Sequence, residues 1–476
     1  MGKVVFLKRG VEMPRYLIGC LAVAATMAFS TSSFADSDID SCKALQPELP
    51  IDQVWGSAHV EFASLESKKF IYVAYYDADR WLTVAQINKC TGEKEKIRVP
   101  SRFEGWDEHN YISLVLDDKN RLHVSGNMHV SPLIYARTDG PDRLAGLDAL
   151  RPMTGADETR TTYPYFFRFA DGALGYSYRS GRSGNGIELI NRLEGSRWVR
   201  WTEQPIFAPN SGKSTVNAYH SDYQLGPDGF FHVAWVWRET YRVETNFNVS
   251  YAKSSDLRTW RNSRGEVVQL PITPATAEVV DAIPKGSGLI NNVRIGFDAA
   301  GRPVISYLKF DSTGATQLFH ARRESNGWKS VPATQWTYRW DPRGGGTIPS
   351  EINFSGVKMR NGRLIEQVHQ RDIGTKTFVY DGDSLKVRQV LGASVWAPTI
   401  AIKDRQAPKG AELNVRPVAI GDSAPDSADA NYAISWFSLP ADNRDRPRDC
   451  KSAVPCNFVS DLMLKSIRTS RDASDE

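Results

Sequence analysis

One pattern recurs seven times along the chain and restricts what it can fold into: a strand-like run, a turn carrying Gly, Asp or Asn, and a second run rich in β-branched and aromatic residues. The turns fall near Ser67 (SLESKKFIYVAYY), Asn120 (DDKNRLHV), Gly172 (FADGALGYSY), Gly229 (GPDGFFHVAWVW), Gly301 (DAAGRPVISYL), Gly362 (MRNGRLIEQV) and Ala430 (DSADANYAISWF), spaced by 52 to 72 residues. Repetition at about this period, with several strands per unit, is the signature of a β-propeller, in which each repeat buries its faces against its neighbours. A β-helix needs shorter periods, and a pair of β-sandwiches would not repeat so evenly. No helical periodicity and no low-complexity linker interrupts the series. The expected fold is therefore all-β, a seven-bladed β-propeller in a single domain spanning residues 36–476.

The first 35 residues stand apart from this pattern. Lys3, Lys8, Arg9 and Arg15 precede an apolar run from Leu17 to Phe29, and Ser33-Phe34-Ala35 follows before an acidic start at Asp36. That order predicts a signal peptide cleaved near Ala35, because the run is too short to span a bilayer. A secreted or periplasmic protein is expected, with no membrane partner. Cleavage removes four basic residues and one glutamate, taking the formal net charge from +4 to +1. So balanced a chain carries no signal for nucleic acid, and an anionic ligand has to be met by locally placed arginines. Cys42, Cys90, Cys450 and Cys456 remain, an even number in an oxidising compartment, and Cys42–Cys90 and Cys450–Cys456 are the expected pairings. No clustered His/Cys spacing suggests zinc.

Phrases such as Leu133–Arg137, Val249–Lys253 and Leu318–Arg322 read as blade-ending outer strands with solvated basic ends, and the tryptophans that follow several of them as blade packing. The chemistry is expected in the stretch from Asp107 to Pro132, DEHNYISLVLDDKNRLHVSGNMHVSP. It reads as a hairpin about the turn Asp117–Asn120. His109 and His129 are nearly equidistant from that turn, as cross-strand neighbours are, with Asn110 and Asn127 beside them. The same mirror test pairs Tyr163 with Arg179 about Asp171, and Tyr219 with Trp237 about Asp228. Three consecutive repeats would thus bring two imidazoles, two phenols, a guanidinium and an indole to one side of the disc, away from the tight turns.

Hydrolysis of a glycosidic bond normally takes two flanking carboxylates, and this patch offers none at its centre, although Asp107, Glu108 and Asp222 are near. Elimination beside a uronate asks for other parts: a cation for the carboxylate, a base for the C5 proton and an acid for the departing O4. Arg179 suits the first role, being permanently charged and bidentate toward carboxylates. His109 or His129 suits the base, and Tyr163 the acid or a proton shuttle. No cofactor is required for this chemistry and no metal is expected in the site; a structural metal is left open.

The phrases DEHNYISLVLDDKNRLHVSGNMHVSPLIY, TTYPYFFRFADGALGYSYRSGRSGNG and GPDGFFHVAWVWRET resemble the secreted BNR-type propeller polysaccharide lyases, the ulvan lyases in particular, over residues 100–380. The resemblance implies a seven-bladed propeller cleaving next to a uronic acid, with paired histidines 20 residues apart and a tyrosine followed 16 residues later by an arginine. Both spacings occur here, at His109/His129 and Tyr163/Arg179. Tyr219 would line the site. An anionic polysaccharide is then the expected partner, handled by a monomer. Two alternatives stand beside this reading. One is a sialidase-like hydrolase, toward which Ser254–Trp260 resembles an Asp-box without its glycine. The other is a non-catalytic sugar-binding propeller.

Overall fold

The turns that mark the repeats share one geometry. The computed structural model describes residues 45, 47–209, 215–392, 408–421, 430–449 and 457–467, all within one compact unit, Lys43–Glu476. In it the amides of Asn120, Gly172, Gly229 and Gly301 donate to the carbonyls of Asp117, Phe169, Gly226 and Asp298 at 2.9–3.0 Å. These four residues and Gly362 have φ between +54° and +84°. Glycine enters that region freely and asparagine tolerates it, so the Gly/Asn punctuation is a requirement of the turn.

The described residues form seven sheets, and the chain is a seven-bladed propeller. Blades 1 to 6 occupy residues 63–102, 112–137, 161–200, 217–281, 294–332 and 352–392 in chain order. Blade 7 combines Glu412–Pro417, Tyr432–Ser438 and Val459–Ser466 with Glu48–Trp55, the strand that precedes blade 1. Glu48 lies opposite Lys465 and Trp55 opposite Val459. Segments from the early and the late part of the chain thus share one sheet.

The second strand of a blade is covered on both faces and so reads as a continuous apolar run rather than an alternating one. Phe231–Arg238 (FHVAWVWR) is buried at all eight positions. Two buried histidines show how polar groups inside are paired. In blade 2, His123 bridges Asp117 (3.2 Å) and Tyr135 (2.9 Å), and Trp198 of blade 3 donates to the same tyrosine (2.9 Å). In blade 4, His232 bridges Asp228 (2.8 Å) and Tyr251 (2.7 Å).

Leu133–Arg137 holds the last strand of blade 2 among the described residues, as expected, but Val249–Lys253 and Leu318–Arg322 lie in third strands, and a fourth strand follows in blades 4 and 5. Nor is the basic end of Leu318–Arg322 solvated. Arg322 is 4% exposed; it donates to Glu324 (2.8 Å) and reaches across to the Asp383 carbonyl of blade 6 (3.0 Å). A guanidinium's five donors let it tie two blades together where a surface charge would merely face water. In the Asp-box-like segment, the Asp256 carboxylate caps the amides of Arg258 (2.8 Å) and Thr259 (2.7 Å), and Trp260 is fully buried.

Among the described residues no helix is long and apolar enough to cross a membrane. Cys90 is disulfide-bonded. Residues 1–35, Cys42, Cys450, Cys456 and most of the turn before Ala430 lie outside the described residues.

Candidate active site

The site grows from a short turn ahead of blade 2. The Asp107 carboxylate accepts the His109 amide at 2.9 Å and, through the same oxygen, faces His109 Nδ1 at 2.6 Å. Its second oxygen takes His129 Nδ1. One carboxylate therefore holds both imidazoles, whose rings stack at 4.5 Å and 21°. They are not cross-strand partners as the mirror test implies. The blade 2 hairpin ends at the Ile112–Gly126 pair. Beyond it the chain turns through Asn127 at φ +59° and crosses to blade 3, where His129 pairs with Thr162.

Tyr163 is placed by a β-bulge. Thr162 opposes Arg179 and Tyr165 opposes Ser177, leaving Tyr163 and Pro164 outside the ladder. Tyr163 has φ +59°, a costly conformation for an aromatic residue and one that re-aims its side chain. Its ring lies 5.8 Å from His109 and 6.2 Å from Tyr219. Arg179 packs behind the two tyrosines, its guanidinium carbon 4.8 Å from the Tyr163 ring and 6.0 Å from the Tyr219 ring. It is 3% exposed, and none of its three nitrogens has a hydrogen-bond partner among the described residues. Buried charge without a partner is strongly unfavourable, so this cation is set up for an anion.

The Tyr219 hydroxyl meets Ser183 Oγ at 2.6 Å and accepts from Arg238 at 3.2 Å. Arg238 also donates to Asn246 (2.7 Å) and Asn291 (2.7 Å). A cavity of about 330 Å³ opens over these groups. Its lining includes His109, His129, Tyr163, Tyr219 and Arg238, together with Tyr241, Asn292, Trp340, Glu108 and Asp445.

Proton affinities diverge across this wall. Burial raises the Tyr219 hydroxyl, but Arg238 and Arg179 outweigh it and pull it down to about 8. For Tyr163 burial wins, helped by Tyr219, and holds the hydroxyl well above its ordinary range. Burial would lower His109, yet its hydrogen bond to Asp107 and the charge of that carboxylate hold it above the usual imidazole range. Asp107, despite burial, is held far below the carboxylate range by the two histidines. Glu108 is pushed up to about 7 by burial, with Asp445 and Asp107 adding to the effect.

Of the residues singled out from sequence, His109, His129, Tyr163 and Tyr219 share the cavity wall and Arg179 lies directly behind it. Trp237 does not join them. The register sets Tyr219 opposite Val236 and Arg238 opposite Asn217, one residue off the mirror estimate, and Trp237 is 1% exposed in the core. Asn110 and Asn127 also face away: Asn110 closes the Asp107 turn (2.9 Å), and Asn127 donates to Ser101 (2.7 Å). Sequence reasoning missed Arg238, Ser183 and Tyr241. Near the turn the mirror register holds, with Leu225 opposite Phe231 and Gln224 opposite His232, but it slips by one residue before His220 meets Trp235, and that irregularity hid Arg238 from the count.

Asp107, His109 and His129 form the one group among the described residues whose donor atoms, all within 4.8 Å of one another, could hold a metal ion. Two imidazole nitrogens and a carboxylate suit a transition-metal cation.

The fold and this cluster define a propeller protein with a polar cavity lined by two histidines, tyrosines and an arginine. Residues 70–336, more than half of the chain, match the model of the BNR repeat-containing family, and the chain belongs to that family. No curated protein matches it by sequence. Among solved structures it is similar to the polysaccharide lyase Uly1, with TM-score 0.52 and 15% identity over 91% of this chain and 96% of that one. It is also similar to a PL25 ulvan lyase, with TM-score 0.52 and 13% identity over 83% of this chain and 94% of that one. The latter has also been solved bound to -[GlcA(1-4)Rha3S]- (TM-score 0.51). At such identities the likeness establishes a shared fold.

Proposed function

We propose that the protein is an exported polysaccharide lyase that breaks the bond at O4 of a uronic acid by β-elimination, acting as a monomer on ulvan or a similar rhamnose–glucuronate glycan. The observation that carries this reading is Arg179: a buried guanidinium without a partner, packed against two tyrosines and next to two imidazoles on one carboxylate. A uronate carboxylate is the anion it would take up, and neutralising that carboxylate acidifies the C5 proton.

The environments suggest a division of labour opposite to the one expected from residue type. Tyr219, drawn down by two arginines, is the group that reaches its anionic form near neutral pH and takes the C5 proton. As the C4–O4 bond breaks and C4=C5 forms, His109, held protonated by Asp107, gives its proton to O4. Tyr163, which keeps its own proton, donates a hydrogen bond to the same oxygen, and His129 fixes Asp107 from the other side. His109→Ala and Tyr163→Phe should each lower turnover by about 10²–10⁴ with little change in melting temperature. Release of unsaturated uronate at the parent rate by both variants would remove these residues from the mechanism.

One observation favours a hydrolase as the second reading. Glu108, protonated up to about pH 7, lines the cavity with Asp445, and an acid beside a carboxylate is the equipment of glycoside hydrolysis.

A further inference from the structure

Tyr241, Asn292 and Trp340 also line the cavity, and none of them carries a charge. Tyr241, three residues past Arg238, is the most exposed of the large apolar side chains among the described residues, at 63%. Its ring rests on Gly345, where a Cβ would stand 2.6 Å from the Tyr241 Cδ2 atom. The glycine run that carries the ring is itself tied down on both sides. Gly344 donates to Glu244 (2.9 Å) and accepts from Val243 (2.9 Å), while the Thr347 amide donates to Asp445 (2.6 Å). A large aromatic face is thus held open to solvent on a preorganised support. On the same cavity lining, Asn292 has a buried carboxamide oxygen without a hydrogen-bond partner among the described residues. Arg238 is the one lysine or arginine on the described cavity wall, and each of its nitrogen positions already donates within the protein.

We propose that Tyr241 and Asn292 form a binding subsite for an uncharged pyranose, the unsulfated sugar joined to the uronate, so that an unsulfated rhamnose–glucuronate glycan is favoured over a sulfated one. An aromatic face takes the C–H surface of a sugar ring, a lone amide oxygen accepts one of its hydroxyls, and no spare cation favours an acidic sugar at this position. The inference rests on the uronate reading only for the identity of the neighbouring unit.

The test uses the full chain and three tetrasaccharides: one alternating uronate with a neutral sugar, its sulfated counterpart, which the parent should bind more weakly, and one made of uronate alone. Dissociation constants are measured calorimetrically for the parent, Tyr241→Ala, Tyr241→Trp and Asn292→Ala. Loss of the aromatic face should weaken the alternating ligand about tenfold, with tryptophan restoring it, while the all-uronate ligand changes less than twofold. Asn292→Ala should weaken the alternating ligand in the same selective way and serves if Tyr241→Ala does not fold. Equal affinity of Tyr241→Ala and parent for the alternating ligand, an equal loss for the alternating and all-uronate ligands, or parent binding of the sulfated counterpart as tight as the unsulfated ligand or tighter, would overturn the subsite. Parent protein that binds the alternating ligand Tyr241-dependently but yields no unsaturated product would overturn the lyase reading alone. A parent that binds none of these ligands would overturn both.

Discussion

Arg179→Met is expected to abolish most activity without loss of stability, and the reason lies in what the arginine touches. Its guanidinium is 3% exposed, unpartnered among the described residues, and in contact with two aromatic faces at 4.8 and 6.0 Å. Such cation–π contacts contribute about 0.5–2 kcal/mol, whereas an unpaired ion buried this deeply costs several kcal/mol in desolvation. Methionine fills a similar volume and leaves Gly186, whose Cβ would stand 2.8 Å from the Arg179 Cδ atom, packed on an apolar stem. The variant should therefore equal the parent or exceed it by about 1–4 kcal/mol. Turnover should fall on the order of 10²–10³, the loss typical of one preorganised charge contact. The Tyr219 hydroxyl should also move upward, since Arg179 is one of the two charges holding it down. Urea unfolding and initial rates of ultraviolet-absorbing product across a pH series, on the same preparations, read both effects. Destabilisation by about 2 kcal/mol or more would assign the arginine a structural partner, and parent-level turnover would refute the reasoning outright.

If Tyr219 acts as the phenolate proposed above, parent turnover should rise with pH through about 8; Tyr219→Phe should lose that limb and about 10²–10⁴ in rate, and an unchanged profile would contradict the assignment. In Asp107→Asn, burial acts on His109 without its main counterweight, so the imidazole titration followed by NMR should shift to lower pH, and an unmoved titration would show that Asp107 does not hold the proton. Burial keeps His123 and His232 below the ordinary imidazole range, so the NMR titration of each should fall below about 6.5 in the folded protein, and a titration at or above that value would count against their burial as neutral groups. Treatment with a chelator should leave turnover intact, and a loss restored by a divalent cation would reassign Asp107, His109 and His129 as metal ligands.

The repeat was legible because turn chemistry and strand burial both leave local marks. Left-handed turn positions demand glycine or asparagine, and doubly covered strands demand unbroken apolar runs, so seven blades could be counted from sequence. The shared sheet of Glu48–Trp55 and Val459–Ser466 left no such mark, since pairing between distant segments depends on ring closure rather than on either segment's composition. Four residues of the cavity wall were legible for a different reason. Mirror symmetry about a turn locates strand ends to within one residue, and where the ladder holds a bulge, as at Tyr163, the site survives the error. In blade 4 a single-residue slip exchanged Trp237 for Arg238, because successive side chains of a strand point to opposite faces. Histidine identity alone would have misled: His123 and His232 sit in the same hairpins as the candidate residues and are buried structural groups.

The central claim is elimination rather than hydrolysis, and the product of the unaltered protein tests it most directly. Purified protein is incubated with a rhamnose–glucuronate polymer while new reducing ends and ultraviolet absorbance are followed together. The account predicts that both rise in step, one unsaturated uronate for each bond broken. New reducing ends without ultraviolet absorbance would contradict it, and would move the chemistry to Glu108 and Asp445.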